Sequence, residues 1–372
     1  MGHFRNRRPI AHFSKLLTLY IMDNPGSIPI FEKKNVVITG GAGFIGSHLC
    51  ERLLKEAKVI CIDDLSNSSI GNIEHLLQYP DFEFIKYDVN NPIDLDAFDE
   101  LDKFRVKYQG VQEIYHLACP TSPKNFEQLK IHSLWANSMA MISTLDLAVK
   151  YKAKYVFGSS SVVYGSPTES NTTFSEPEEG IVNHLSPRAC YDEGKRFAET
   201  CVETYRQVYG IDGKSARIFT TFGPRMRLRD GLLIPDFIIN ALDSRDLTIY
   251  GDGLMSQTFV YVSDVVDGLV RLMQSGPDIS IVNLGSDHLI NVSEVAQKII
   301  QMTQSQSKVV FEKELIFLTK KGIPDLQVAK EKLDWIPLVL LEDGLRKTID
   351  YAIANKSAVT LGDAPGGQGS LS

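Results

Sequence analysis

The sequence predicts an α/β protein: a doubly wound parallel sheet with helices on both faces, followed by a smaller C-terminal α/β substrate lobe. Three observations carry that prediction. The apolar run Val36-Val37-Ile38 leads straight into glycines at 40, 43 and 46 and then into a helical pattern. Short apolar runs, fit for strands buried on both faces, alternate with helix-period segments as far as about residue 220. Past Gly223 the pattern shortens into small strands and helices between Leu233 and Met302.

Residues 1–30 read as an N-terminal extension. Arg5, Arg7, Arg8 and Lys15 precede the apolar segment Leu16–Met22, which is far shorter than the ~20 residues a membrane span needs. Packing on the surface or against a partner subunit is the expectation. Asn24-Pro25-Gly26 breaks the chain before the first strand.

Residues 31–220 read as the dinucleotide-binding domain. Bare backbone at Gly40 and Gly43 lets the chain approach a diphosphate, and Gly46 lets the next helix pack closely. Phe44 and Ile45 open that helix, whose free N–H groups and positive dipole end face the phosphates. After a helix over Ser47–Lys55, the strand Val59–Ile62 ends at Asp63-Asp64. An acidic side chain there accepts hydrogen bonds from the adenosine ribose and repels a 2′-phosphate, so Asp63 selects NAD over NADP, with Asp64 able to substitute. A third strand, Phe82–Tyr87, ends at Asp88-Val89, placing a carboxylate for the adenine amino group. The fourth, Ile114–Ala118, brings Leu117 and the small Ala118 beside the cofactor. A long helical pattern from Leu129 to Lys150 contains Asn137, read as a polar group tying that helix to the site. The fifth strand, Tyr155–Phe157, runs into Gly158-Ser159-Ser160-Ser161. This is the order of a Rossmann-type sheet, in which ligands lie beyond the carboxyl ends of the strands.

Tyr191 and Lys195 are four residues apart and share one helix face. A tyrosine of pKa about 10 is a poor base at neutral pH. A neighbouring ammonium favours the phenolate, and a serine hydroxyl steadies the reacting oxygen. The expectation is that Tyr191 takes a proton from a substrate hydroxyl as a hydride leaves the same carbon. Lys195 lowers the pKa of that phenol and binds the nicotinamide ribose, and Ser160 or Ser161 holds the oxygen.

Composition limits the alternatives. The 372 residues carry a formal charge of −7, with 43% hydrophobic and 23% charged residues, which leaves no electrostatic footprint for nucleic acid or an anionic membrane. The five cysteines are an odd number without a C-x-x-C pair, so neither a disulfide framework nor a zinc site is expected, and a reducing cytoplasm fits.

With these residues in place, the chain over roughly 35–354 resembles the extended short-chain dehydrogenase/reductase family of nucleotide-sugar enzymes, and within it the UDP-glucuronate decarboxylase branch. The matching strings are TGGAGFIGSHL at Thr39, IYHLACPTSP at Ile114, ACYDEGKRFAET at Ala189, FGPRM at Phe222, LTIYGDG at Leu247, YVSDVVDGLV at Tyr261 and VNLGS at Val282. The resemblance implies NAD as cofactor, a UDP-sugar as substrate and a homodimer pairing helical faces near 129–150 and 191–209. It implies oxidation at C4 of the sugar, loss of carbon dioxide from the β-keto acid and return of the hydride. Gly40, Gly43, Gly46, Asp63, Asp88, Ala118, Tyr191 and Lys195 carry over to the family's cofactor and catalytic positions. Pro120, Asn137, Arg188, Thr220, Arg225, Tyr250 and Gln257 are the candidate substrate contacts, with Lys320-Lys321 as a further pair for diphosphate or uracil.

Three positions depart from the branch. Val162 stands where its members carry a glutamate, Gln257 where they carry an arginine, and Thr220 where they carry an asparagine. Losing a carboxylate and a guanidinium removes a charge pair and a clamp for the substrate carboxylate. A nucleotide-sugar 4-epimerase using the same Tyr191, Lys195 and NAD is therefore the second reading, and a non-catalytic NAD- or nucleotide-sugar-binding protein the third. Residues 221–355 read mainly as the substrate-binding lobe, with a closing helix over Leu341–Ala354. The small, polar residues 356–372 read as a flexible tail.

Overall fold

The computed structural model describes residues 33–121, 129–251, 253–313 and 321–362. The expectations for residues 1–30, for Lys320 and for the end of the tail lie outside these.

Seven parallel strands build the main sheet: β1 (Asn35–Thr39), β2 (Lys58–Asp63), β3 (Phe82–Lys86), β4 (Glu113–His116), β5 (Lys154–Ser160), β6 (Gly213–Ile218) and β7 (Ile281–Leu284). Their order is β3-β2-β1-β4-β5-β6-β7, so the chain reverses direction across the sheet between β1 and β4, the crevice where such sheets bind ligands. All five residues of β1 are buried because both faces are covered. Alternate residues serve opposite layers: Val36, Ile38, Val59 and Cys61 join one core, Val37, Ile60 and Ile62 the other.

The first layer contains Leu49 and Leu53 of α1 (Phe44–Leu53). The second is filled from the helices after β4. The single helix expected over Leu129–Lys150 is two, α2 (Lys130–Ala136) and α3 (Met139–Tyr151). The break is at Asn137, whose Nδ2 donates to the Ser133 carbonyl at 2.7 Å in competition with its own backbone N–H at 3.3 Å. α4 (Ala189–Tyr209) follows, with Tyr191, Gly194, Lys195, Ala198 and Val202 as its buried stripe. Gly194 permits α2 to end against it, since a Cβ there would lie 2.9 Å from Asn137 Nδ2.

The later chain continues with α5 (Leu233–Leu242), α6 (Val262–Gln274), α7 (Val292–Thr303), α8 (Gln327–Leu333) and α9 (Leu341–Gly362). The change of pattern near residue 220 is not where the chain leaves the sheet: β7 pairs with β6, Val282 opposite Ala216. Val265 and Leu269 of α6 join the first core layer. Short pairings make up much of the rest, including Leu247–Tyr250 with Val309–Glu312 and Ser256–Thr258 with Leu289–Asn291. Trp335 fastens the C-terminal segment: it is buried and its Nε1 donates to the Asp264 carbonyl at 2.9 Å, while Asp264 Oδ2 accepts from the backbone N–H groups of Leu338 and Val339. α9 continues past Ala354, so the segment beginning at Lys356 is helical as far as Gly362.

Candidate active site

The turn after β1 is held by contacts that exclude side chains. Gly40 has φ +70°, and a Cβ there would lie 2.7 Å from the Ala118 backbone nitrogen. A Cβ on Gly46 would lie 2.1 Å from the Gly40 carbonyl oxygen and one on Gly43 3.1 Å from the same atom. Gly46 must be bare because of the turn's own carbonyl, then, rather than because the helix would be pushed off the sheet. Gly43 accepts from Ser47 N–H at 3.0 Å to start α1, and no side chain caps the helix. Its first amides, which have no acceptor within a helix, are left for a ligand, and that suits a pyrophosphate.

Asp63 at the end of β2 is buried, which raises its pKa against three hydrogen bonds that lower it. Oδ2 accepts from Ala42 N–H at 3.0 Å, and Oδ1 from Leu65 N–H at 2.9 Å and Ser68 Oγ at 2.6 Å. Asp63 thus ties the following loop to the glycine turn and keeps lone pairs for ribose hydroxyls. Asp64 instead accepts from Ser66, at 2.9 Å from N–H and 2.7 Å from Oγ. Asp88 Oδ1 accepts from Asn90 backbone and side chain. Gly40, Gly43, Phe44, Ile45, Gly46 and Asp63 line one cleft with Asp88, Val89, Leu117 and Ala118.

The reacting groups open on the same cleft. Tyr191, Lys195, Ser160 and Ser161 all line it, and Ser160 hydrogen-bonds the Tyr191 phenol. Ser160 Oγ also accepts from Val162 N–H at 3.4 Å, capping the turn Ser161–Tyr164. Lys195 is buried and its Nζ donates to the Gly158 carbonyl at 2.8 Å, lying 4.5 Å from the centre of the Phe157 ring and 5.8 Å from that of Tyr191. The expected acidification of the phenol by Lys195 is not found. Burial, with the neighbouring Cys119 thiol, holds Tyr191 above the ordinary tyrosine pKa, and burial lowers that of Lys195. The lysine spends its shortest contact on a carbonyl, so its charge does not dominate at the phenol oxygen.

Of the candidate substrate contacts, Pro120, Thr220 and Arg225 line the cleft. Asn137, Arg188, Tyr250 and Gln257 stand outside the lining. Asn137 Nδ2 reaches Cys119 Sγ at 3.3 Å, and Arg188 Nη2 pairs with Asp192 at 3.1 Å. Tyr250 closes a strand beside Glu312, and Gln257 is buried in the short ribbon opposite Ile290. Val162 is also absent from the lining. Arg225 is engaged by Glu51 of α1 at 2.5 Å.

Two contacts had no sequence signal, although Lys321 itself is one of the residues expected to meet diphosphate or uracil. Lys321 lines the cleft and its Nζ donates to Thr220 Oγ1 at 3.2 Å, a partner 101 residues away. Glu199 on α4 accepts from Ser159 Oγ at 2.5 Å and pairs with Arg217 of β6, Nε at 3.0 Å and Nη2 at 2.8 Å. Nothing distinguishes Glu199 from the other helix glutamates in the sequence. One signal could have found the pair: Arg217 sits in a strand whose one other charged residue, Lys214, is also a cation, so its counter-charge has to come from another element.

The family model that matches, over residues 36–285, is that of the NAD dependent epimerase/dehydratase family. UDP-glucuronic acid decarboxylase 1 of Xenopus tropicalis is 40% identical over 321 residues, 86% of this chain and 72% of that protein. UDP-glucuronic acid decarboxylase 1 of Arabidopsis thaliana is 36% identical over 331 residues, 87% of this chain and 72% of that one. Among solved structures, an epimerase from Methanothermobacter thermautotrophicus superposes with a TM-score of 0.78 at 28% identity, covering 89% of this chain and 95% of the other. UDP-glucuronic acid 4-epimerase of Bacillus cereus, in complex with UDP-glucuronic acid and NAD, gives 0.74 at 27% identity, covering 86% and 99%.

Two outcomes follow from the geometry. Gly46→Ala forces the turn open, and the expected result is protein that folds with NAD affinity reduced at least ~10-fold, read by calorimetry. The phenol of Tyr191 stays protonated up to and beyond the ordinary tyrosine range in NAD-free protein, and the positive nicotinamide moves its titration down. The tyrosinate absorbance difference between wild type and Tyr191→Phe, with and without NAD, measures this; phenolate at pH 7 without NAD contradicts it.

Proposed function

Because the chain belongs to the NAD dependent epimerase/dehydratase family, we propose that it converts UDP-glucuronate to UDP-xylose and carbon dioxide, using NAD as a resident cofactor. One observation carries the reading: the Ser160–Tyr191–Lys195 set faces the cleft lined by the glycine turn and Asp63, in a chain whose similar curated relatives are UDP-glucuronic acid decarboxylases. The uncapped start of α1 suits the pyrophosphate, and Asp63 the ribose.

Bound NAD supplies a hydride acceptor and donor for C4 of the sugar. Ser160 orients the C4 oxygen, and Tyr191 takes its proton as the carbon is oxidised. The resulting ketone is β to the C5 carboxylate, so the bond to carbon dioxide breaks with its electron pair delocalised onto the ketone oxygen. A proton then enters at C5, and Tyr191 would give its proton back to the C4 oxygen as the hydride held by the cofactor restored that carbon. The sum consumes one proton and releases one carbon dioxide. Lys195 holds the cofactor's ribose and fixes the floor of the site through Gly158.

The 4-epimerase reading is favoured by Val162 and Gln257, which lack the groups of the decarboxylase branch. It would use the same residues and return the hydride to the other face of the ketone. For assembly we read a homodimer. Ile131, Leu134 and Trp135 of α2, Met139 of α3 and Phe197 of α4 are each about half exposed, an apolar surface that a second copy would cover. A cytoplasmic site fits the five unpaired cysteines.

NMR analysis of UDP-glucuronate incubated with protein and NAD is expected to give UDP-xylose; UDP-galacturonate without carbon dioxide supports the epimerase instead. Tyr191→Phe is expected to lower kcat by ~10²–10⁴ and to prevent transient NADH formation. Val162→Glu combined with Gln257→Arg is expected to raise the rate of carbon dioxide release, and an unchanged rate would show that neither position limits the reaction.

A further inference from the structure

An acidic sugar brings two anionic ends into the cleft, the diphosphate and the C5 carboxylate. The departure at Gln257 leaves the carboxylate without the guanidinium of the decarboxylase branch, and Gln257 itself is buried away from the cleft. Among the described residues, four cationic side chains line the cleft: Lys195, Arg225, Arg227 and Lys321. Lys195 is committed to Gly158. Arg225 is held by Glu51 on the helix of the glycine turn, and Arg227 by Asn67 in the loop that Asp63 organises, so both belong to the dinucleotide side.

Lys321 is placed differently. Its Nζ rests on the hydroxyl of Thr220, which follows β6. In the sheet register Ser160 lies opposite Ile218, so Thr220 sits two residues past the strand neighbour of the serine that holds the reacting oxygen. From the other side, Arg188, just before α4, and Asp192, next to Tyr191 on it, are within electrostatic reach of the Lys321 ammonium. The lysine therefore stands between the serine strand and the tyrosine helix. A sugar whose C4 oxygen meets Ser160 and Tyr191 puts its C5 substituent, one bond away, on the same side of the cleft.

We infer that Lys321, steadied by Thr220, holds the sugar carboxylate of the substrate, a role that rests on the proposed function. An ammonium is a point charge on a flexible stem, so it can follow the carboxylate where a guanidinium would clamp it in one plane. The contact is made to a group that leaves as carbon dioxide. It strengthens binding of the acidic sugar and adds nothing to binding of the product, whose sugar carries no charge.

The test is calorimetric titration of NAD-loaded protein in a Tyr191→Phe background, where turnover does not interfere. Lys321→Met is expected to weaken UDP-glucuronate binding about 10- to 100-fold while changing UDP-xylose binding by less than about 2-fold, and Lys321→Arg is expected to keep most of the affinity. Retained UDP-xylose binding also shows that the variant is folded. Equal loss for both nucleotides places Lys321 on the diphosphate and overturns the inference, as does no loss for either. Failure of the wild-type protein to release carbon dioxide would overturn the proposed function alone, since the binding comparison stands without turnover.

Discussion

The geometry of the reacting groups depends on a buried ion pair that does not touch the cleft. Glu199 and Arg217 leave only 11% and 9% of their side chains exposed, so both charges have lost most of their water. Such a pair is tolerable only when its hydrogen bonds are complete. Here the carboxylate takes two guanidinium contacts and the Ser159 hydroxyl, and a further Arg217 nitrogen donates to the Glu176 carbonyl. The guanidinium also lies 4.6 Å over the Tyr164 ring, whose hydroxyl donates to Asn283 on β7. One network fixes α4 to β5, β6 and β7 at once. Tyr191, Lys195 and Ser160 owe their relative positions to it, two and one helical turns from Glu199 and one residue from Ser159.

The electrostatics of the site follow from that rigidity. A lysine and a phenol are packed where water does not reach them freely, and burial disfavours the charged form of each. The phenol is consequently held in its protonated form, and the ammonium is less favoured than that of a solvated lysine. The oxidised nicotinamide ring would bring a positive charge to the same cleft, which favours the phenolate.

Much of this was legible in the sequence because it is local. The glycine spacing, the acidic residue closing β2, the small residue after β4 and the serine run after β5 each announce themselves within a few residues of a strand end, and the sheet brings strand ends together. The site features that were not legible are contacts between distant segments. Lys321 meets Thr220 only because the chain after α7 comes back to the carboxyl end of β6, and β7 itself returns to the sheet from a stretch whose pattern resembles a separate lobe. Asn137 shows the same limit at short range: its helical periodicity is real, but a side chain that bonds the preceding turn breaks the helix. Tyr250 and Gln257 lie on strand fragments whose partners no local pattern specifies.

The segment after Gly223 lines the cofactor groove and is fastened at three points. His48 of α1, kept neutral by burial with a pKa of about 4, faces the Pro224 carbonyl at 3.0 Å; Arg225 grips Glu51; Arg227 reaches Asn67. With Asn67, Arg225 and Arg227 all lining the groove, this segment is tied to α1 and to the loop after β2, the elements beside the glycine turn and Asp63. A catalyst that would lend out a hydride and recover it within one cycle has no use for exchanging its carrier with the medium, and three fastenings beside the groove suit keeping that carrier in place.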